Sequence, residues 1–113
     1  MEMTVYDCHH HFKRLMGVRK NERKYIEQKL VSEVKKRGGI CLKLASTGLD
    51  GIPDRLVLMA KGKIAFVELK APEQKPRKLQ LVRIKKLREM GFSVYVLDTL
   101  EDIGGVIDDI QST

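Results

Sequence analysis

Two apolar runs, Leu56-Val57-Leu58-Met59 and Ile64-Ala65-Phe66-Val67-Glu68-Leu69, stand either side of Lys61-Gly62-Lys63. Short aliphatic and β-branched runs joined through a glycine-containing turn predict an antiparallel hairpin. No other segment constrains the fold so tightly. Alternation along the second strand sets Phe66, Glu68 and Lys70 on one face and Ala65, Val67 and Leu69 on the other. Gly51-Ile52-Pro53-Asp54 leads into the first strand. Proline cannot donate to a ladder and suits a strand's first position, so Asp54 falls near a sheet end. For Asp54 to share a face with Glu68, the residue numbers paired across the hairpin must sum to an even number. A loop of Lys61, Gly62 and Lys63, with Ala60 opposite Ile64, meets that condition. It sets Leu56 opposite Glu68 and Asp54 opposite Lys70. A two-residue loop would break the arrangement unless a bulge restored it.

The remaining elements follow from periodicity and punctuation. A helix is predicted over 22–37, with Ile26, Leu30, Val31 and Val34 as its apolar stripe, Asn21 as its cap and Gly38-Gly39 as its stop. Residues 40–45 read as a first strand, and 46–53 as a loop turning at Gly48 and Gly51. Pro72 and Pro76 bracket a second loop. Pro76 could open the next helix, whose stripe is Leu79, Val82, Leu87 and Met90 and which ends at Gly91. Residues 94–97 form a fourth strand, after which Thr99 caps a helix carrying Leu100, Ile103, Val106, Ile107 and Ile110. The order is α-β-β-β-α-β-α. A helix between the third and fourth strands implies a parallel crossover, hence an α/β fold with a mixed four-stranded sheet flanked by helices. Residues 1–20 lack clear periodicity and read as an arm or short irregular helix. The chain's 113 residues suit one domain, over 21–113.

The formal net charge is +7. Much of the excess lies in Lys75, Arg77, Lys78, Arg83, Lys85, Lys86 and Arg88, a stripe of the kind that contacts a phosphate backbone. A solvated helix face would have the same composition. No apolar run approaches the roughly eighteen residues of a membrane span. The start lacks a signal-peptide pattern. Cys8 and Cys41 are too few for a disulfide framework, and Cys41 reads as a small core residue. A cytoplasmic protein is expected.

Two carboxylates and a lysine on adjacent strands suit a divalent ion that activates water against a phosphodiester. A bland salt bridge between Glu68 and Lys70 would look similar. Glu27 interrupts the stripe of the first helix, and a carboxylate turned toward a core is costly unless it is paired or bound to metal. A stripe-edge glutamate in contact with water is the other reading. A third carboxylate near Asp54 and Glu68 would suit one or two Mg²⁺ or Mn²⁺ ions. Cys8-His9-His10-His11 invites a zinc reading, but contiguous residues do not easily converge on a tetrahedral ion. Tyr6, Tyr25 and Tyr95 could stack on bases, although Tyr95, inside an apolar strand, reads as core. There is no P-loop, no dinucleotide glycine fingerprint and no convincing nucleophile–base motif.

Gly51-Ile52-Pro53-Asp54 followed by Glu68-Leu69-Lys70 resembles the pattern of the PD-(D/E)xK nucleases. The stretch from Glu27 to about Asp98, with Gly-x-Pro-Asp-Arg ending at Arg55 and Gln80 in the basic helix, is similar to a stand-alone VRR-NUC domain of the phage and bacterial type. One departure from the related RecB-like pattern is Ile84, where a tyrosine would follow Gln80 by four residues. The resemblance implies a restriction-endonuclease-like core and a metal-dependent endonuclease cutting branched DNA such as Holliday junctions. It implies that Asp54, Glu68 and the Leu69 carbonyl bind Mg²⁺ or Mn²⁺, and that Glu27 does so directly or through water. Lys70 would orient the attacking water or stabilise charge on the phosphate, and Gln80 would place substrate or Lys70. Arg55, Lys75, Arg77, Lys78 and Lys85 are the expected DNA contacts. One active site per chain and symmetric junction cleavage together imply a homodimer, whereas flap cleavage would not. A non-catalytic basic DNA-binding module of the same fold is the alternative.

Overall fold

The computed structural model describes residues 22–44 and 48–113. The expected arm over 1–20, Tyr6, the Cys8-His9-His10-His11 run, the Asn21 cap and residues 45–47 lie outside the described residues. The elements are α1 (Glu22–Lys36), β1 (Ile40–Lys43), β2 (Arg55–Met59), β3 (Lys63–Leu69), α2 (Lys78–Glu89), β4 (Ser93–Leu97) and α3 (Ile103–Ser112). The strands lie in the order β1-β2-β3-β4. The first two pairings are antiparallel and β3–β4 is parallel. The mixed four-stranded sheet is therefore the one expected from the crossover helix.

The hairpin register keeps the expected parity but slips by two. Leu56 pairs with Phe66, and Met59 with Lys63. The turn is Ala60–Gly62, one position earlier than the sequence suggested. Lys61, at φ 66°, takes the left-handed conformation that closes it. Carried one residue past the last ladder pair, this register sets Asp54 opposite Glu68 rather than Lys70. The even sum, and with it the shared face, is preserved.

One sheet face is the core. Val57, Met59, Ala65, Val67, Leu69 and Leu97 meet Ile26, Leu30 and Val34 of α1 and Ile103, Ile107 and Ile110 of α3. Burying each Val, Leu, Ile or Met side chain among these contributes about 1.5–3 kcal/mol. Cys41 and Tyr95 pack partly buried against the same cluster, as expected of them. Arg37 ties α1 to α3 by pairing with Asp108 and Gln111. The Tyr95 hydroxyl donates to Asp109, and burial and that carboxylate push its pKa up to about 12.

The other face carries α2, and here the expected stripe is corrected. Val82 and Met90 are 58% and 60% exposed, whereas the buried positions are Gln80 and Ile84. The helix is rotated so that a polar side chain, not Leu79, faces the sheet. Ile84 fills the neighbouring core position. α2 starts at Lys78 rather than at Pro76. Thr99 accepts from the Asp102 N–H at 3.1 Å in the turn before α3, so Leu100 precedes the helix rather than belonging to it.

Candidate active site

Asp54 sits just before β2, where buried Pro53 brings the chain into the sheet. Its carbonyl accepts from the Leu44 N–H at 2.9 Å, and its Oδ2 accepts from the Leu69 N–H at 2.8 Å. The residue thus clamps the end of β1 to the end of β3, with Oδ2 turned toward β3.

Glu68 lies on the outer face of β3 under the first turn of α2, and is only 1% exposed. Its Oε2 accepts from Gln80 Nε2 at 2.6 Å and from Lys70 Nζ at 3.2 Å. Its Oε1 is buried with no hydrogen-bond partner. A buried carboxylate oxygen without a donor is costly. Burial, then the charge of Asp54, pushes the Glu68 carboxyl above its usual range, with Lys70 opposing them. One oxygen of this buried carboxyl is thus left able to accept from a further partner. An oxygen donor set of Asp54, Glu68 and the Leu69 carbonyl suits a hard divalent ion such as Mg²⁺ or Mn²⁺.

Lys70 leaves the sheet edge with its backbone N–H on the Leu97 carbonyl at 3.0 Å. Its ammonium therefore stays beside Glu68 with a side chain 15% exposed. Gln80 does not bridge to Lys70. It is the third residue of α2, and its Oε1 accepts from the Arg77 N–H at 2.9 Å while its Nε2 holds Glu68. One side chain thus caps the helix and orients the buried carboxylate.

Glu27 accepts from Arg55 Nε at 3.0 Å, both side chains being 15% exposed. Arg55 also reaches the Cys41 carbonyl at 3.5 Å. Arg55, an expected DNA contact, here has its guanidinium on the largely buried Glu27 as a counter-charge. Glu27 reaches the centre through Arg23, whose guanidinium lies between Glu27 and Asp54. Among the described residues, no three of His, Cys, Asp and Glu converge as a metal set.

Arg23 was not singled out by the sequence. Its Nη2 lies 3.1 Å from Asp54 Oδ1, its Nε donates to the Leu69 carbonyl at 3.2 Å, and its Nη1 is 4.0 Å from Glu27 Oε1. The available signal was its position four residues before Glu27, on the same helix face.

A cleft of about 450 Å³ opens beside Asp54, lined by residues that include Gly51, Arg77 and Gln80. Gly51 has φ +84°, and a Cβ there would stand 2.9 Å from the Leu79 side chain and 3.2 Å from that of Arg83. Only glycine lets this loop lie against α2. Arg83 Nε holds the same loop through the Asp50 carbonyl at 2.9 Å. Lys75, Arg77, Lys78 and Lys85 are all exposed, and Arg77 and Lys78 stand at the positive end of the α2 dipole. Tyr25, expected as a stacking candidate, is 48% exposed on α1.

No family model matches the sequence. The chain is 49% identical over 82 residues to "Putative nuclease p44" of Acyrthosiphon pisum secondary endosymbiont phage 1, a match covering 73% of this chain and 87% of that protein. A solved VRR-NUC domain has the same fold with a TM-score of 0.72 at 28% identity, covering 77% of this chain and 95% of that one. The chain belongs to the VRR-NUC family. In this VRR-NUC chain the two carboxylates, the lysine and the glutamine gather at one end of the sheet. Its Glu27 and Arg55 form the adjoining ion pair. The VRR-NUC fold accounts for the outer-face placement: β2 and β3 deliver Asp54 and Glu68, and α2 closes over them.

Proposed function

We propose that this protein is an Mg²⁺- or Mn²⁺-dependent DNA endonuclease that hydrolyses phosphodiester bonds, selecting branched DNA such as Holliday junctions and acting as a homodimer. The observation that carries this reading is Glu68. It is a fully buried carboxylate with one oxygen fixed by Gln80 and Lys70 and the other left without a donor beside Asp54.

Asp54, Glu68 and the Leu69 carbonyl would hold the ion, with Glu27 behind them. The ion, when bound, lowers the pKa of its water and neutralises charge on the phosphate. Gln80 keeps Glu68 Oε2 in place, which leaves Oε1 as the oxygen that would be offered to an ion. Lys70, anchored by its backbone to β4, stands where it can orient the attacking water or meet charge developing on the phosphate. Arg77 borders the cleft, and with exposed Lys78 and the N-terminal end of α2 it favours a phosphate backbone there. Lys75, before α2, and Lys85, on it, add exposed positive charge to this part of the surface.

Three observations support the reading. The family is one of nuclease domains, the donor set is oxygen-rich, and the basic helix lies beside the carboxylates. The dimer is supported by an uncovered apolar row across the sheet. Ile40, Leu58 and Ile64 are register neighbours, and Ile40 and Ile64 are 57% and 38% exposed.

The test is cleavage of four-way junction, 5′-flap and plain duplex DNA with Mg²⁺, Mn²⁺ or EDTA, beside a Glu68→Ala control. Metal-dependent cutting of a junction, lost in the control, is the expected result. Cutting only the flap would replace the junction reading. Binding without cutting under every condition would leave a non-catalytic DNA-binding module.

A further inference from the structure

Arg23 meets the same atoms that a divalent ion needs. Its fork takes Asp54 Oδ1 at 3.1 Å and the Leu69 carbonyl at 3.2 Å, with Glu27 Oε1 at 4.0 Å. Glu68 Oε1 alone is left unserved. The guanidinium carries one charge against the two of the ion, and it ties up the lone pairs that face the seat. A divalent ion and this guanidinium cannot share the seat, because the same acceptors would be divided and like charges would stand within a few ångströms. The arm is poorly confined, since its side chain is 42% exposed and springs from the first turn of α1. Once displaced, a planar five-donor cation at the rim of the site matches a phosphodiester in both charge and geometry.

We propose that Arg23 is a surrogate cation that holds the metal seat closed in the ion-free protein, and that on metal binding it is released to the substrate phosphate as a positioning residue. This rests on the metal-site reading above and adds an order of events. Arg23 keeps two carboxylates from repelling while the seat has no ion. Its release then links metal loading to DNA grip. In the ion-free protein Arg23 is spent on Asp54 and does not add to DNA affinity.

The test begins with the unaltered protein. In ¹⁵N spectra of the arginine side chains, Mn²⁺-free Mg²⁺ titration should move the Arg23 Nε–H resonance as its bond to Leu69 breaks. The Arg83 Nε–H, bonded to Asp50, should stay in place. Calorimetry with Mn²⁺ alone should show Arg23→Gln binding the ion about fivefold tighter than the unaltered protein, the worth of one part-exposed ion pair removed from the competition. Arg23→Lys, which keeps the charge and loses the fork, should fall between. With phosphorothioate-protected DNA, Arg23→Gln should lose several-fold affinity in Mn²⁺ and none in EDTA. An unmoved Arg23 resonance together with equal Mn²⁺ affinity in all three proteins would overturn the competition. An equal loss of DNA affinity in Mn²⁺ and EDTA would overturn the release. No Mn²⁺ binding by any of the three would instead remove the metal site itself.

Discussion

Gln80 Nε2 donates to Glu68 Oε2 at 2.6 Å, and this bond explains why the basic helix turns a polar residue to the sheet. The glutamine amide supplies both a donor for the carboxylate and an acceptor for the Arg77 N–H. Gln80→Leu keeps the volume and removes both. Losing a buried bond to a charged group and a helix cap costs about 2–4 kcal/mol in sum. Chemical denaturation should register that loss, and cleavage should fall by at least tenfold as Glu68 loses its orientation. Unchanged stability would mean that the helix cap and the carboxylate are independent of this side chain.

Glu68 is expected to cost stability whenever the seat holds no ion. Its carboxyl is raised by burial and by Asp54. Below the unfolded value both states are protonated and the group is neutral in the balance. As pH rises from there through the raised folded value, the unfolded chain ionises first and folded stability is lost. Glu68→Gln removes that slope. In EDTA at neutral pH its Tm should exceed that of the unaltered protein by a few degrees, about 1 kcal/mol in a chain of this size, while cleavage is abolished. Saturating Mg²⁺ should raise the Tm of the unaltered protein and leave that of the variant nearly unmoved.

Arg55 and the α2 lysines should separate by salt dependence. Lys78→Ala and Lys85→Ala each remove an exposed cation, and each should lower the slope of log affinity against log salt by about one. Arg55→Ala should leave that slope unchanged. It should instead destabilise the fold by about 1–3 kcal/mol, because Glu27 is left part-buried without its partner. A reduced slope for Arg55→Ala would put its guanidinium on DNA after all.

Gly51→Ala tests the cleft wall. The added Cβ meets Leu79 and Arg83 at 2.9–3.2 Å, in a left-handed backbone conformation that alanine resists. A cost of about 1–3 kcal/mol follows. The loop should also lift from α2, raising KM for DNA more than it lowers kcat. A variant as stable as its parent would show that the loop shifts without resistance.

The fold was legible because its signals are local. The Lys61-Gly62-Lys63 turn marked the hairpin, and the helix between two strands forced the parallel pairing. Parity alone placed Asp54 and Glu68 on one face, and parity survived a turn that closes one residue early. What periodicity could not supply was the rotation of α2. Leu79, Val82 and Met90 outweigh Gln80 in any count of apolar residues, yet a single hydrogen bond to a buried carboxylate turns the helix. Arg55 and Arg23 were opaque for a related reason. A basic protein has many arginines, and only the fold reveals which ones are drawn inward by Glu27 and Asp54.

Leu69 contributes to the centre entirely through its peptide groups, donating its N–H to Asp54 and offering its carbonyl to Arg23. No side-chain substitution at this position deletes either atom, save proline, which would remove the N–H. Selection on residue 69 therefore acts through packing in the core, where the side chain is fully buried. This corner of the site can drift among aliphatic residues without altering its chemistry, and loss-of-function variants will concentrate at positions 54, 68, 70 and 80 instead.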